Sequence, residues 1–141
     1  MFVAVVNGRV DEVSRIDRWN IRTDRGADRG GLFVSVIGDD GARYYGSHLR
    51  SVATGIVPGR RVRRGDRLGT VGNTGSARGI QPHLHFGISW PTRPGVWWVR
   101  RGMVQPAPYL DAWRAGRHTS PATAVRRAHG SRDVPPCTAR C

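Results

Sequence analysis

Two histidines flank a leucine in His83-Leu84-His85-Phe86. In an extended strand, residues i and i+2 point to the same face, about 7 Å apart along the chain. The two imidazoles would therefore share one face, while Leu84 and Phe86 enter the core on the other. Side-by-side imidazoles on a rigid strand suit a metal ion or a proton-transfer pair. An isolated His-x-His is a weak signal, and two polar residues on a solvated sheet face are the plain alternative. A third histidine, His48, stands in Tyr45-Gly46-Ser47-His48-Leu49.

The elements that must position these residues read as short strands. Residues 2–6 and 9–13 are apolar runs broken at Asn7-Gly8, a hairpin-turn signal. Residues 14–31 are polar and read as a loop or a long hairpin tip. Residues 32–37 and 42–45 flank Asp39-Asp40-Gly41, a second hairpin signal. Residues 67–71 form a strand closed by Gly72-Asn73-Thr74-Gly75, a tight turn that sets the next segment against the groove. Residues 83–89 alternate as a strand. Residues 106–115 are the one helix expected, with proline near the start, Leu110 and Trp113 three apart, and Gly116 as stop. Short strands joined by Gly-rich turns predict an all-β, antiparallel protein. The ordered domain is expected over residues 1–116. Residues 117–141 are basic and rich in Pro, Ala and Ser, and are expected to lack fixed structure. Within them, Cys137 and Cys141 are read as two thiols; a local disulfide and a zinc pair are the alternatives.

Composition bounds the function. The chain has 141 residues, 23 basic and 10 acidic, for a formal charge of +13. Every basic residue is Arg, which excludes chemistry that needs a lysine amine: biotin or lipoyl carriage, Schiff bases and the Walker-A loop. The single Glu (Glu12), 19 Gly and 9 Pro argue against long helices. No apolar run approaches the roughly 20 residues of a membrane span, and no signal peptide is visible. The basic excess fits codon bias or an anionic partner, whether nucleic acid, a membrane surface or an acidic cell-wall polymer, and charge alone does not choose among them. Arg60, Arg61, Arg63 and Arg64 form its densest cluster and read as a solvated face. Nucleic acid is not expected, because there is no recognition helix, RNP-type aromatic motif or zinc finger. Trp90, Trp97, Trp98 and Trp113 read as packing groups before they read as sugar-stacking ones.

The glycines and histidines together say more. The stretch Val57-Pro58-Gly59, Val62, Gly65-Asp66, Leu68-Gly69, Val71-Gly72-Asn73-Thr74-Gly75 and then Pro82-His83-Leu84-His85-Phe86 resembles the lysostaphin/LytM-type zinc metallopeptidases, metallopeptidase family twenty-three. Phe2-Val3-Ala4-Val5-Val6-Asn7-Gly8-Arg9-Val10 is similar to that family's small-residue strand ending in a Gly turn. Tyr45-Gly46-Ser47-His48-Leu49 is similar to its Tyr-x-His-Leu segment, with one residue more between Tyr and His. The resemblance covers roughly residues 2–89. It implies antiparallel sheets with a groove over one of them. It implies that His85 is a ligand of zinc (Zn2+), that His83 positions or deprotonates the attacking water, and that His48 stabilises the developing oxyanion. It also implies peptide stems or cross-bridges of bacterial peptidoglycan as substrates, and action outside the cytoplasm, secreted or at the wall. Gly87 stands where many relatives have Glu, which is not a ligand in the family.

The family's other two zinc ligands come from a His-x-x-x-Asp motif that precedes the strand matched by residues 2–6. No His precedes His48. Two readings follow. The chain is an N-terminally truncated peptidase fragment, or it is a non-catalytic domain that binds the wall or activates another hydrolase. The intact histidine motifs favour the first. Either way, a sheet without its first strands is expected to expose an edge.

Overall fold

Alternating apolar side chains build the central hairpin. In β3 (Leu32–Gly38), Val34 and Val36 are buried and face Gly46 and Tyr44 of β4 (Arg43–Val52) across an antiparallel ladder. Asp39-Asp40-Gly41 closes this hairpin as expected, with Gly41 at φ +82° and Asp40 Oδ1 accepting from Ala42 N at 3.2 Å. The computed structural model describes residues 1–130 and 134–141.

The remaining strands are β1 (Phe2–Val3), β2 (Gly8–Ser14), β5 (Arg61–Val62), β6 (Arg67–Val71) and β7 (His85–Ser89). They form one sheet in the order β1-β6-β4-β3-β2-β5, with β7 also on β4, and every pairing is antiparallel. The all-β expectation is met. Phe2, Val10, Val34, Leu49, Val62 and Leu68 form the core under the sheet. Each such side chain contributes roughly 1.5–3 kcal/mol on burial.

The site depends on how β4 is shared. One edge of β4 pairs with β3. The other pairs with β6 along its second half (Leu49↔Val71) and with β7 along its first half (Ser47↔His85 to Arg43↔Ser89). The loop between β6 and β7 leaves this edge and rejoins it, and a bridge between Gly72 and His83 closes the loop at its base.

Three expectations need correction. Asn7-Gly8 is not a hairpin turn: β1 pairs with β6, whereas β2 pairs with β3 and β5. Gly8 is required for a different reason, since a Cβ there would fall on the Ile37 carbonyl. The described residues also contain three short α-helices rather than one: α1 (Trp97–Arg100), α2 (Ala107–Arg114) and α3 (Ala122–His129). The last lies in the stretch expected to lack structure. It follows Pro121 and buries Val125 in a second core with Tyr44, Ile88, Trp90 and Val99. One docked apolar side chain does not register in a composition argument. Finally, Cys137 and Cys141 form a disulfide rather than two thiols.

Other readings hold. Trp90 is buried and stacks on His129, with ring centroids 5.0 Å apart, so it is a packing group. Arg60, Arg61, Arg63 and Arg64 are all exposed. No described helix is long and apolar enough to cross a membrane.

Candidate active site

Three histidines converge where β6 and β7 meet end to end against β4. The ring centroids of His48 and His83 are 5.1 Å apart, and those of His48 and His85 are 6.2 Å apart. His118 and His129 lie elsewhere, against Arg64 and Trp90.

His48 reaches the cluster through a β-bulge. In the β3–β4 ladder, Phe33 faces Ser47 and Leu32 faces Leu49, so His48 is an extra residue with no partner in β3. Its φ is +62°, a left-handed conformation that is strained for a residue with a Cβ. A bulge of this kind re-aims a side chain. The freed backbone groups find other partners: His48 N donates to Gly30 O at 2.9 Å, and Gly72 N donates to His48 O at 3.0 Å. His85 opens β7, and His83 is placed just before it by the bridge to Gly72. His85 lies opposite Ser47 in the ladder, while Leu84 and Phe86 pack against the core, as expected.

Each imidazole has one ring nitrogen on a backbone carbonyl. His48 Nδ1 lies 2.8 Å from Thr74 O, His83 Nδ1 lies 3.0 Å from Gln81 O, and His85 Nε2 lies 2.8 Å from Arg101 O. A carbonyl oxygen only accepts, so the bonded nitrogen carries the hydrogen. In its neutral form His48 therefore presents Nε2 as a lone pair, His83 presents Nε2, and His85 presents Nδ1. Burial pushes His48 below the ordinary value of 6.5; His83, His85 and Arg101 push it the same way, and the bond to Thr74 opposes them. Burial likewise lowers His85, with the Arg101 and His83 charges adding to it. Both rings are thus held neutral at neutral pH.

The turn at Gly72-Asn73-Thr74-Gly75 performs the placement expected of it and more. Thr74 Oγ1 donates to Leu49 O at 2.7 Å and accepts from Leu32 N at 3.1 Å, which sets its carbonyl against His48. Gly75 takes φ +66° and donates its N–H to Asp17. Arg101 is a site residue the motifs did not indicate. It follows α1, and its carbonyl lies over Gly87, where a Cβ would collide with it. The neighbouring Arg100 fixes this segment: its guanidinium lies 4.1 Å from the centroid of Phe33 and pairs with Glu12 at 2.6 Å.

The fit to zinc is incomplete. His85, with one nitrogen on a carbonyl and the other bare, has the arrangement of a histidine ligand. Catalytic zinc normally takes three protein ligands. Among the described residues, no three His, Cys, Asp or Glu side chains are grouped to hold a metal. His48 and His83 approach His85 without completing such a set.

Comparison with known proteins gives the same region. The sequence pattern of Peptidase family M23 matches residues 2–95. An L-Ala–D-Glu endopeptidase of Bacillus subtilis (strain 168) is 30% identical over 89 residues, which is 60% of this chain and 26% of that protein. The chain thus spans about a quarter of the length of that curated relative. The catalytic domain of lysostaphin from Staphylococcus simulans superposes with a TM-score of 0.57 at 23% identity, over 78% of this chain and 69% of that one. A LytM structure from Ruminococcus gnavus gives 0.50 at 29% identity, over 64% of this chain and 34% of that one. The matched residues contain β1 through β7 and all three clustered histidines, and on that ground the chain belongs to peptidase family M23.

Proposed function

We propose that the chain carries the histidine side of a site that hydrolyses peptidoglycan peptides. One observation supports this above others: three imidazoles converge, each with one nitrogen tied to a backbone carbonyl and the other turned free. A solvated pair of polar residues has no need of that arrangement.

Peptide hydrolysis requires that water lose a proton as its oxygen attacks the carbonyl carbon, and that the leaving amine gain one as the C–N bond breaks. His83 is exposed and presents Nε2, so it accepts the water's proton and returns it to the amine. His48 is read as the group that holds the tetrahedral oxyanion. With Nδ1–H committed to Thr74, its Nε2 donates only when the ring is protonated. Burial disfavours that form in the free protein, and a developing anion beside the ring favours it. His85 Nδ1 is assigned to zinc by resemblance, and the two further ligands would be supplied from outside the described residues.

A non-catalytic wall-binding or hydrolase-activating role is the second reading. The absence of a three-ligand group among the described residues favours it. Purified peptidoglycan, assayed with zinc and with a His-x-x-x-Asp segment joined ahead of residue 2, separates the two. Hydrolysis releases new amino groups at a rate that falls at least a hundredfold in His83→Ala. Sedimentation with the wall and no release of amino groups supports the second reading instead.

Action outside the cytoplasm is part of the same proposal. The Cys137–Cys141 disulfide is consistent with an oxidising compartment. The +13 charge suits retention by an anionic wall polymer at low salt.

A further inference from the structure

A cavity of about 610 Å3 opens between α1 and the C-terminal segment. Its walls are Trp97, Trp98, Met103 and the Pro135-Pro136 pair, and three arginines, Arg29, Arg101 and Arg140, line it as well. The C-terminal segment is fastened in place at several points. Trp98 Nε1 donates to Pro135 O at 2.7 Å, Gly26 N donates to Arg140 O at 2.8 Å, and the Cys137–Cys141 disulfide closes the end of the segment. Trp97 lies against Gly26, where a Cβ would strike its ring.

Among the described side chains the charges do not balance. Arg29 and Arg140 share one carboxylate, Asp24, at 2.8 and 2.5 Å. Arg101 is the third guanidinium, and no described acid pairs with it. Its backbone carbonyl accepts from His85, so Arg101 is the residue that links the cavity's lining to the histidine cluster. Half-buried Trp97, Trp98 and Pro135 provide flat apolar walls, and guanidinium groups recognise carboxylates in a bidentate manner. Here Trp97 and Trp98 line the same cavity as the guanidinium groups, whereas Arg60, Arg61, Arg63 and Arg64 are exposed.

We propose that this cavity binds a carboxylate-bearing residue of an acidic peptide, with Arg101 as the principal carboxylate contact and Trp97 and Trp98 against the peptide's apolar part. The proposal rests on the hydrolase reading insofar as that peptide is the substrate's acidic portion; binding itself is separable from cleavage.

The test is calorimetric titration of the full chain with the dipeptide L-alanyl-D-glutamate, its fully amidated form and inorganic phosphate. The dipeptide is expected to bind saturably and to perturb tryptophan fluorescence. The amidated form binds at least tenfold more weakly, and so does the dipeptide to Arg101→Gln. Arg101→Lys, which keeps the charge, recovers part of the loss, and Arg140→Gln gives a smaller one. Circular dichroism checks that each variant is folded. Equal binding of dipeptide and amide overturns the proposal, as does unchanged affinity in both glutamine variants, or phosphate binding as tight as the dipeptide's. Wall hydrolysis without carboxylate-dependent binding leaves the proposed function standing and removes this inference. Carboxylate-dependent binding without hydrolysis does the reverse.

Discussion

The Nδ1 of His48 lies 2.8 Å from the carbonyl oxygen of Thr74, a contact that joins the bulge in β4 to the turn after β6 across 26 residues of sequence. Two local irregularities are thereby locked to one another. Each has further anchors: the Thr74 hydroxyl serves Leu32 N and Leu49 O, and the His48 backbone bonds Gly30 and Gly72.

Thr74→Ala tests the lock from the side of the turn. The substitution strands Leu32 N and Leu49 O, which the hydroxyl now serves at 3.1 and 2.7 Å. Leaving such groups unpaired costs about 1–3 kcal/mol. Urea unfolding should show a loss of that size, and Thr74→Ser should keep most of the stability.

The bulge itself is tested by replacing His48 with residues that differ in tolerance for φ +62°. Asn visits the left-handed region readily and Val does not. His48→Val should be less stable than His48→Asn by about 1–2 kcal/mol. Equal stabilities would mean that the backbone there is not left-handed in solution.

Gly87 has no room for a side chain, because its Cβ would fall on the Arg101 carbonyl. Gly87→Ala should push the segment after α1 away and break the bond from His85. The expected cost is about 1–3 kcal/mol, as for overpacking elsewhere. A chemical-shift change at the His85 ring should accompany it.

Stability should also depend on pH in a definite direction. His48 and His85 are both depressed below 6.5 in the fold. The unfolded chain therefore binds more protons than the native one as pH falls. Stability from these two groups is present above pH 6.5 and is lost as pH falls through their folded values. Urea midpoints should drop between pH 7.5 and 5.5, and the drop should shrink in the His48→Gln, His85→Gln double variant.

Much of this was legible in the sequence because strands have a period of two. Alternation assigned Leu84 and Phe86 to the core, although β7 begins only at His85 and His83 is set by its bridge to Gly72. Asp39-Asp40-Gly41 marks its own hairpin. The Asn7-Gly8 signal failed because a glycine serves close approach as well as turning, and here the Ile37 carbonyl required it. The bulge at His48 has no signature, since nothing local marks a histidine for a left-handed conformation. Arg101 was hidden for a different reason. Its contact with His85 is made by the backbone carbonyl, which every residue type possesses. The docking of α3 through Val125 was masked by the polar residues around it.

Everything proposed for the cluster depends on which nitrogen of each ring carries the hydrogen. Nitrogen-15 spectra of the three imidazoles at pH 7.5 read this directly. The structure predicts the hydrogen at Nδ1 for His48 and His83 and at Nε2 for His85. A His85 ring protonated at Nδ1, or three rings averaging freely between tautomers, would contradict it.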